Sequence, residues 1–328
     1  VIATGAEVAR EQMLPAAVLA RVAASHIRVG TFEYASGVGG ADLVRRLAGH
    51  AIARHHPSAA DADNPHLALL AAVADSQAAL VARWMQVGFI HGVMNTDNMA
   101  ISGETIDYGP CAFMDRYDPA TVYSSIDTGG RYAYGNQPTI ALWNLARFAE
   151  SLLGVIDSDP DRAVAAATEV LEGFVATYRR HWITGMCSKI GIAPGSGDGD
   201  VEDADARLVD DLTTLMAEQR VDMTRLMRSL SEAVRGDRTA SRALFDDPSG
   251  FDDWCERWDR RRDELGADPT ATARAMDLAN PVHVPRNHLV EAALAAATAG
   301  DMAPFERLVG VLREPFVAGP DTEGYELG

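Results

Sequence analysis

The sequence predicts an α+β chain in which a scrap of β structure precedes a large helical body. Three observations carry this. Residues 17–35, "AVLARVAASHIRVGTFEYA", are rich in β-branched and aromatic side chains. Residues 99–107, "MAISGETID", read as two very short strands around a glycine-bearing turn. From "ALWNLARFAESLL" (141–153) onward, apolar residues recur at helical spacing almost to the end.

In chain order, the first β-rich stretch has a break near Ala24-Ser25 that suggests a hairpin, and Gly37-Val-Gly-Gly40 breaks the chain as a reversal. "ADLVRRLAGHAIARHH" (41–56) has helical periodicity. A second helix follows Asn64-Pro65, an N-cap residue with proline at the first helical position, and runs to about Val87. Its alanine and leucine content marks it as buried. After the 99–107 hairpin, residues 111–140 show no strong periodicity, and an ordered loop of that length inside a compact domain points to function. Further helices are predicted over 161–183, 205–219, 221–235, 251–265, 286–299 and 302–313, with "PGSGDGDVEDAD" (194–205) as an acidic linker.

Composition narrows the partners. A net charge of −18 opposes nucleic acid and anionic membranes, while leaving ATP possible through local arginines and bound metal. No run of about 18 consecutive apolar residues occurs, so no membrane span is predicted, and no secretory signal precedes the fold. Cys111, Cys187 and Cys255 lack metal-ligand spacing and suit a reducing, cytoplasmic compartment. The chain opens on Val1, so a preceding segment, with any organellar address it carries, is expected. Only Lys189 among 29 basic residues is a lysine.

The chemistry concentrates in "HGVMNTDNMAISGETIDYGP" (91–110), which gathers Asn95, Asp97, Asn98 and Asp107 with almost no positive charge. Such hard oxygen donors suit Mg²⁺ or Mn²⁺ shared with phosphate oxygens, although Asn and Asp are also ordinary turn formers. A buried helix, His91, an Asn seven residues later, and a hairpin ending Asp107-Tyr108-Gly109 follow the order of the metal-binding half of a protein kinase. On that template His91 is structural, Asn98 and Asp107 are metal ligands, and the usual base falls on Val93, which cannot accept a proton. Asp97, beside Asn98, is the replacement carboxylate.

With "RVAASHIRVGTFEY" (21–34), "GRYAYGNQPTIALWNLARFAESL" (130–152), "NPVHVPRNHLVEAALAAATAGD" (280–301) and "RLVGVLREPF" (307–316), this stretch resembles the selenoprotein O (YdiU) family almost from end to end. The resemblance implies a protein-kinase-like fold binding ATP in a flipped orientation. It implies transfer of AMP to Ser, Thr or Tyr hydroxyls of protein substrates, with Asp97 as proton acceptor, Asn98 and Asp107 on the metal, and Arg21 and Arg28 on the nucleotide phosphates. Residues 1–35 would then close a small β-rich N-lobe. Residues 36–328 would form a helical C-lobe, with a catalytic loop at 91–110 and an activation-like segment at 111–140. Members carry a glycine-rich turn, a nucleotide-binding lysine and its glutamate partner upstream of the "RVAASHIR" motif. Lys189 lies downstream of Asp107 and cannot be that lysine, so the chain is expected to be a fragment or a truncated homologue. The alternative function is a non-catalytic pseudokinase-like scaffold. The tail Tyr325-Glu-Leu-Gly328 offers no terminal cysteine or selenocysteine for a redox switch.

Other motifs read as structural. "GVGGAD" (37–42) lacks the Lys-Ser/Thr of a phosphate loop, and "GSGDGDVEDAD" does not fit a calcium-loop register. His55-His56 read as surface and Trp254/Trp258 as core. Arg257, Arg260, Arg261 and Arg262 read as a solvated face balanced by Asp259, Asp263 and Glu264.

Overall fold

The computed structural model describes residues 1–9, 13–193, 199–322 and 324–327, with side chains from 204 onward in the helix that begins at Gly199. Two strands, β1 (Ile2–Ala9) and β2 (Met13–Val18), pair antiparallel, and their side chains are almost all exposed. The hairpin therefore lies ahead of the position expected for it. Residues 29–35, expected to be extended, open α1 (Val29–His55) instead. Two groups make the difference: the Arg28 backbone N–H donates to Thr31 Oγ1 at 3.1 Å, an N-terminal cap, and Val29 and Phe32 face the core, both fully buried. The expected reversal at 37–40 is only a kink, with Gly40 at φ +57 inside α1.

α2 (Pro65–Gln86) begins as its sequence predicts: the Leu67 N–H donates to the Asn64 side chain at 3.1 Å, with Pro65 at the first position. Two two-residue strands follow, β3 (Phe89–Ile90) and β4 (Ala112–Phe113), paired antiparallel. The 99–107 hairpin reduces to a single bridge, Met99 to Thr105, and Ala100 bridges back to Arg28. After β4 the chain runs largely without regular structure to α3 (Gln137–Ile156).

The expected helix over 161–183 is two, α4 (Pro160–Glu172) and α5 (Phe174–Lys189), divided at Gly173. α6 (Gly199–Gln219) starts inside the stretch read as a linker, of which 194–198 lie outside the described residues. α7 (Met223–Val234), the short α8 (Thr239–Arg242) and α9 (Ser249–Glu264) follow. The sequence reading passed over α10 (Pro269–Ala279), which is opened by Asp268 accepting from the Ala271 N–H at 2.7 Å. α11 (Asn287–Thr298) and α12 (Ala303–Arg313) complete the order. The chain is thus α+β and mostly helical.

α2 lies centrally, against α1, α3, α4 and α5. By length and composition, Pro65–Gln86 and Tyr134–Ile156 are apolar enough to cross a membrane, which the run-length criterion missed. Their apolar faces are occupied by packing: Leu69, Leu70, Val73, Leu145, Phe148 and Leu152 are buried against neighbouring helices. Trp254 and Trp258, both fully buried, stack at 5.1 Å between ring centroids, as core residues should. The arginine face beside them is less solvated than expected. Arg261 is 13% exposed and paired with Asp205, and Arg262 is 12% exposed and lies over the Trp258 ring. His55 and His56 are half-buried rather than surface residues.

Candidate active site

The loop beginning at His91 is held by neutral amides from the core helices. Gln137 at the start of α3 accepts from the His91 N–H at 3.0 Å and donates to the Phe89 carbonyl at 2.9 Å. Asn144, one side of α3 further on, donates to the Met94 carbonyl at 2.8 Å, and Gln77 of α2 donates to the Ala100 carbonyl at 2.6 Å. All three amides are buried, so each satisfies a carbonyl, of β3 or of the loop, that water cannot reach. The sequence reading missed them. For Gln77 and Asn144 the signal was an amide residue inside a largely apolar helical run; Gln137, at the first position of α3, had no such signal.

His91 is fully buried and spans the two halves of the site: Nε2 lies 2.8 Å from the Ile106 carbonyl, beside Asp107. Desolvation pushes its pKa below the ordinary value, so the ring is neutral, with Nε2–H donating and Nδ1 facing the Val93 N–H at 3.4 Å. Gly92, at φ +83, completes the approach, because a Cβ there would lie 2.8 Å from Pro110 Cγ.

Among the residues expected to act on nucleotide and metal, four are positioned by this frame. Asp107 adopts φ +62, a left-handed conformation that aspartate tolerates better than most residues but still at a cost. Arg21 reaches it, with Nη1 2.9 Å from Asp107 Oδ1 and both side chains near two-fifths exposed. Asn98 donates Nδ2 to the Val93 carbonyl at 2.9 Å, which leaves its Oδ1 as an oxygen donor. Asp97 is exposed and rests on the first turn of α1, where an added Cβ on Gly30 would lie 2.2 Å from its Oδ1. Gly30 is another residue the sequence reading passed over, because 29–35 read as extended and not as the start of a helix.

Arg28 stands apart. Its backbone bridges to Ala100, its Nε is buried with no hydrogen-bond partner, and among the described residues it meets no carboxylate. The structure therefore joins Arg21 to Asp107 but does not join Arg28 to either aspartate. The segment carrying Arg21 is fixed by Glu104, which accepts from the Ala24 N–H at 3.0 Å, and by Arg54, whose Nε donates to the Ala24 carbonyl at 3.1 Å. The Ala24 N–H first, and then the Ser102 hydroxyl, hold the Glu104 carboxyl below its ordinary pKa.

Comparison with known proteins gives this arrangement its family. The family model described as protein adenylyltransferase SelO matches residues 1–313. The chain belongs to that family. The protein nucleotidyltransferase YdiU of Mycobacterium sp. strain KMS is 55% identical over 325 residues, covering 99% of this chain and 65% of the relative. Those of Pseudarthrobacter chlorophenolicus and Cereibacter sphaeroides are 52% and 54% identical, again over 65% of their own length. The chain thus spans about two thirds of the length of these SelO-family relatives.

Proposed function

We propose that this chain carries the catalytic loop and metal-binding half of a protein adenylyltransferase with a protein-kinase-like fold, which moves AMP from ATP to Ser, Thr or Tyr hydroxyls of proteins. The placement of Asp97 carries the reading. It is an exposed carboxylate without an ion-pair partner among the described residues, seated on α1 in the same turn as Asn98. Val93 occupies the position where a conventional kinase has its base. Family membership supports the same class of chemistry.

In this reading the acceptor oxygen attacks the α-phosphorus, the bond to the β-phosphate oxygen breaks, and pyrophosphate leaves. The hydroxyl proton passes to Asp97. Arg21 and Arg28 bind phosphate oxygens, for which a guanidinium's paired donors are suited. The donor set fits Mg²⁺ or Mn²⁺: Asn98 Oδ1 and the Asp107 carboxylate are hard oxygens, and such ions take few protein ligands beside phosphates and water. Among the described residues no group of three or more His, Cys, Asp and Glu forms a metal cage, so a shared protein–phosphate site is the one these donors can offer. A bound cation would offset charge developing on the phosphates. The cysteines are unpaired, which supports a reducing, cytoplasmic setting.

The test uses the natural full-length gene product with ATP, Mg²⁺ or Mn²⁺ and acceptor protein. α-Labelled ATP is expected to label protein and γ-labelled ATP is not. Asp97→Asn should abolish labelling while nucleotide still raises the melting temperature; Asp107→Ala should lose that rise, because metal no longer bridges protein to phosphates. Equal labelling from γ-labelled ATP would replace the reading with phosphoryl transfer. Full activity of Asp97→Asn would remove that residue as the proton acceptor.

A further inference from the structure

Eight residues beyond Asp107, the chain meets an arginine from the far end of the sequence. Arg286, just before α11, is fully buried. Its Nη1 donates to Asp115 Oδ1 at 2.7 Å, and its Nη2 lies 3.0 Å from Asp222 Oδ2 and donates to the Glu326 carbonyl at 2.9 Å. Asp222 also caps α7, accepting from the Arg225 N–H at 3.0 Å. The backbone beneath is stitched in register: Arg116 bridges Asp222, the Tyr117 N–H donates to the Val221 carbonyl at 2.8 Å, and the Met223 N–H donates to the Asp115 carbonyl at 3.2 Å.

Three segments remote in sequence therefore converge on one guanidinium. A buried ion pair is a poor device for stability alone, because desolvation offsets most of its Coulombic gain. What a planar fork with fixed donors supplies is a unique geometry. Asp115, at 27% side-chain exposure, is the least enclosed of the two carboxylates and belongs to the segment that leaves the Asp107 turn.

We infer that Arg286 is a positioning residue: it fixes the path of the chain just after Asp107 and so holds that carboxylate's turn in place for the reaction. The 324–327 stretch forms one wall of its cage through the Glu326 carbonyl. Without Arg286, Asp115 and Asp222 face each other as like charges and the 115–117 segment loses its clamp. This role rests on the adenylyl transfer proposed above, whereas the clamp itself does not.

The test compares Asp115→Asn and Arg286→Lys with Asp252→Asn, which breaks the exposed Arg242–Asp252 pair and serves as the control. Hydrogen exchange over residues 112–123 is measured alongside kcat and KM for ATP in the full-length protein. In both clamp variants, exchange should speed by roughly tenfold or more. kcat should fall by a similar factor, with KM for ATP nearly unchanged. The control should change neither. Lysine should not rescue, because a point charge cannot bridge both carboxylates. Unaltered exchange overturns the clamp, and faster exchange with unaltered kcat overturns the positioning role. If the unsubstituted protein transfers no AMP, the proposed reaction fails, and the exchange measurement still decides the clamp.

Discussion

Replacing Gly30 by alanine tests the proposed proton acceptor without touching it. The new methyl would lie 2.2 Å from Asp97 Oδ1 and 3.1 Å from its Cγ, well inside ordinary contact. The carboxylate must retreat by about 1 Å, since neither the α1 backbone nor the loop held by Gln137 and Asn144 can yield as cheaply as one exposed side chain. A displacement of about 1 Å at a reacting group costs roughly 10²-fold in rate. Alanine is meanwhile the better helix former by about 1 kcal/mol, so the fold should keep or gain stability. The assay pairs incorporation of α-labelled AMP into acceptor protein with a thermal melt. Gly30→Ala should lose about two orders of magnitude in kcat and retain its melting temperature. Added to Asp97→Asn it should cost almost nothing more, because both changes act on one group. Activity within a factor of about three of the unsubstituted protein would refute the placement of Asp97 as proton acceptor.

Two further outcomes follow from protonation. Lys189 is buried with its Nζ on the Ala279 carbonyl, and burial pushes its pKa down from 10.5 to about 7. Between those values the unfolded chain holds a proton that the folded chain lacks, so stability rises with pH, by up to about 1.4 kcal/mol per pH unit. Urea unfolding at pH 7 and pH 9 should show that rise, and Lys189→Met should remove it; an equal rise in the variant would show that the slope comes from other groups. Glu104 has the same sign in a lower pH window: its folded pKa lies below the ordinary 4.5, so the anchor it gives Ala24 is present above that value and lost as pH falls through the depressed one. The protection factor of the Ala24 amide should therefore fall on acidification in the unsubstituted protein and be low at all pH values in Glu104→Ala; equal protection in both would detach Glu104 from this role.

The elements legible in the sequence were those whose signals are local. Asn64-Pro65 announces α2 because a side-chain acceptor and a missing N–H both act within one turn. The order His91, Asn98, Asp107 survives in sequence because loop and hairpin are contiguous. Residues 29–35 were misread because β-branched and aromatic side chains also serve a buried helix face, and burial of Val29 and Phe32 outweighs intrinsic preference. α10 escaped because its apolar positions are mostly alanine. In the candidate site, Asp97, Asn98 and Asp107 were readable as residue types in a short motif, whereas Arg21 came only with the family resemblance. The roles of Gln77, Gln137, Asn144 and Arg286 were not readable, since each acts on a carbonyl or carboxylate tens of residues away, and a polar residue's local sequence does not name its partner.

The amide frame beneath the candidate loop has a consequence for how the protein meets its surroundings. Side-chain amides neither titrate nor attract counterions, so the scaffold set by Gln77, Gln137 and Asn144 keeps its shape in brine and in dilute buffer, in mild acid and mild base. The outer pair of Arg21 and Asp107 is nearly half open to solvent, so dissolved salt screens it. An insulated inner mould thus carries a responsive rim, and ionic strength should tune what binds without reshaping where it binds.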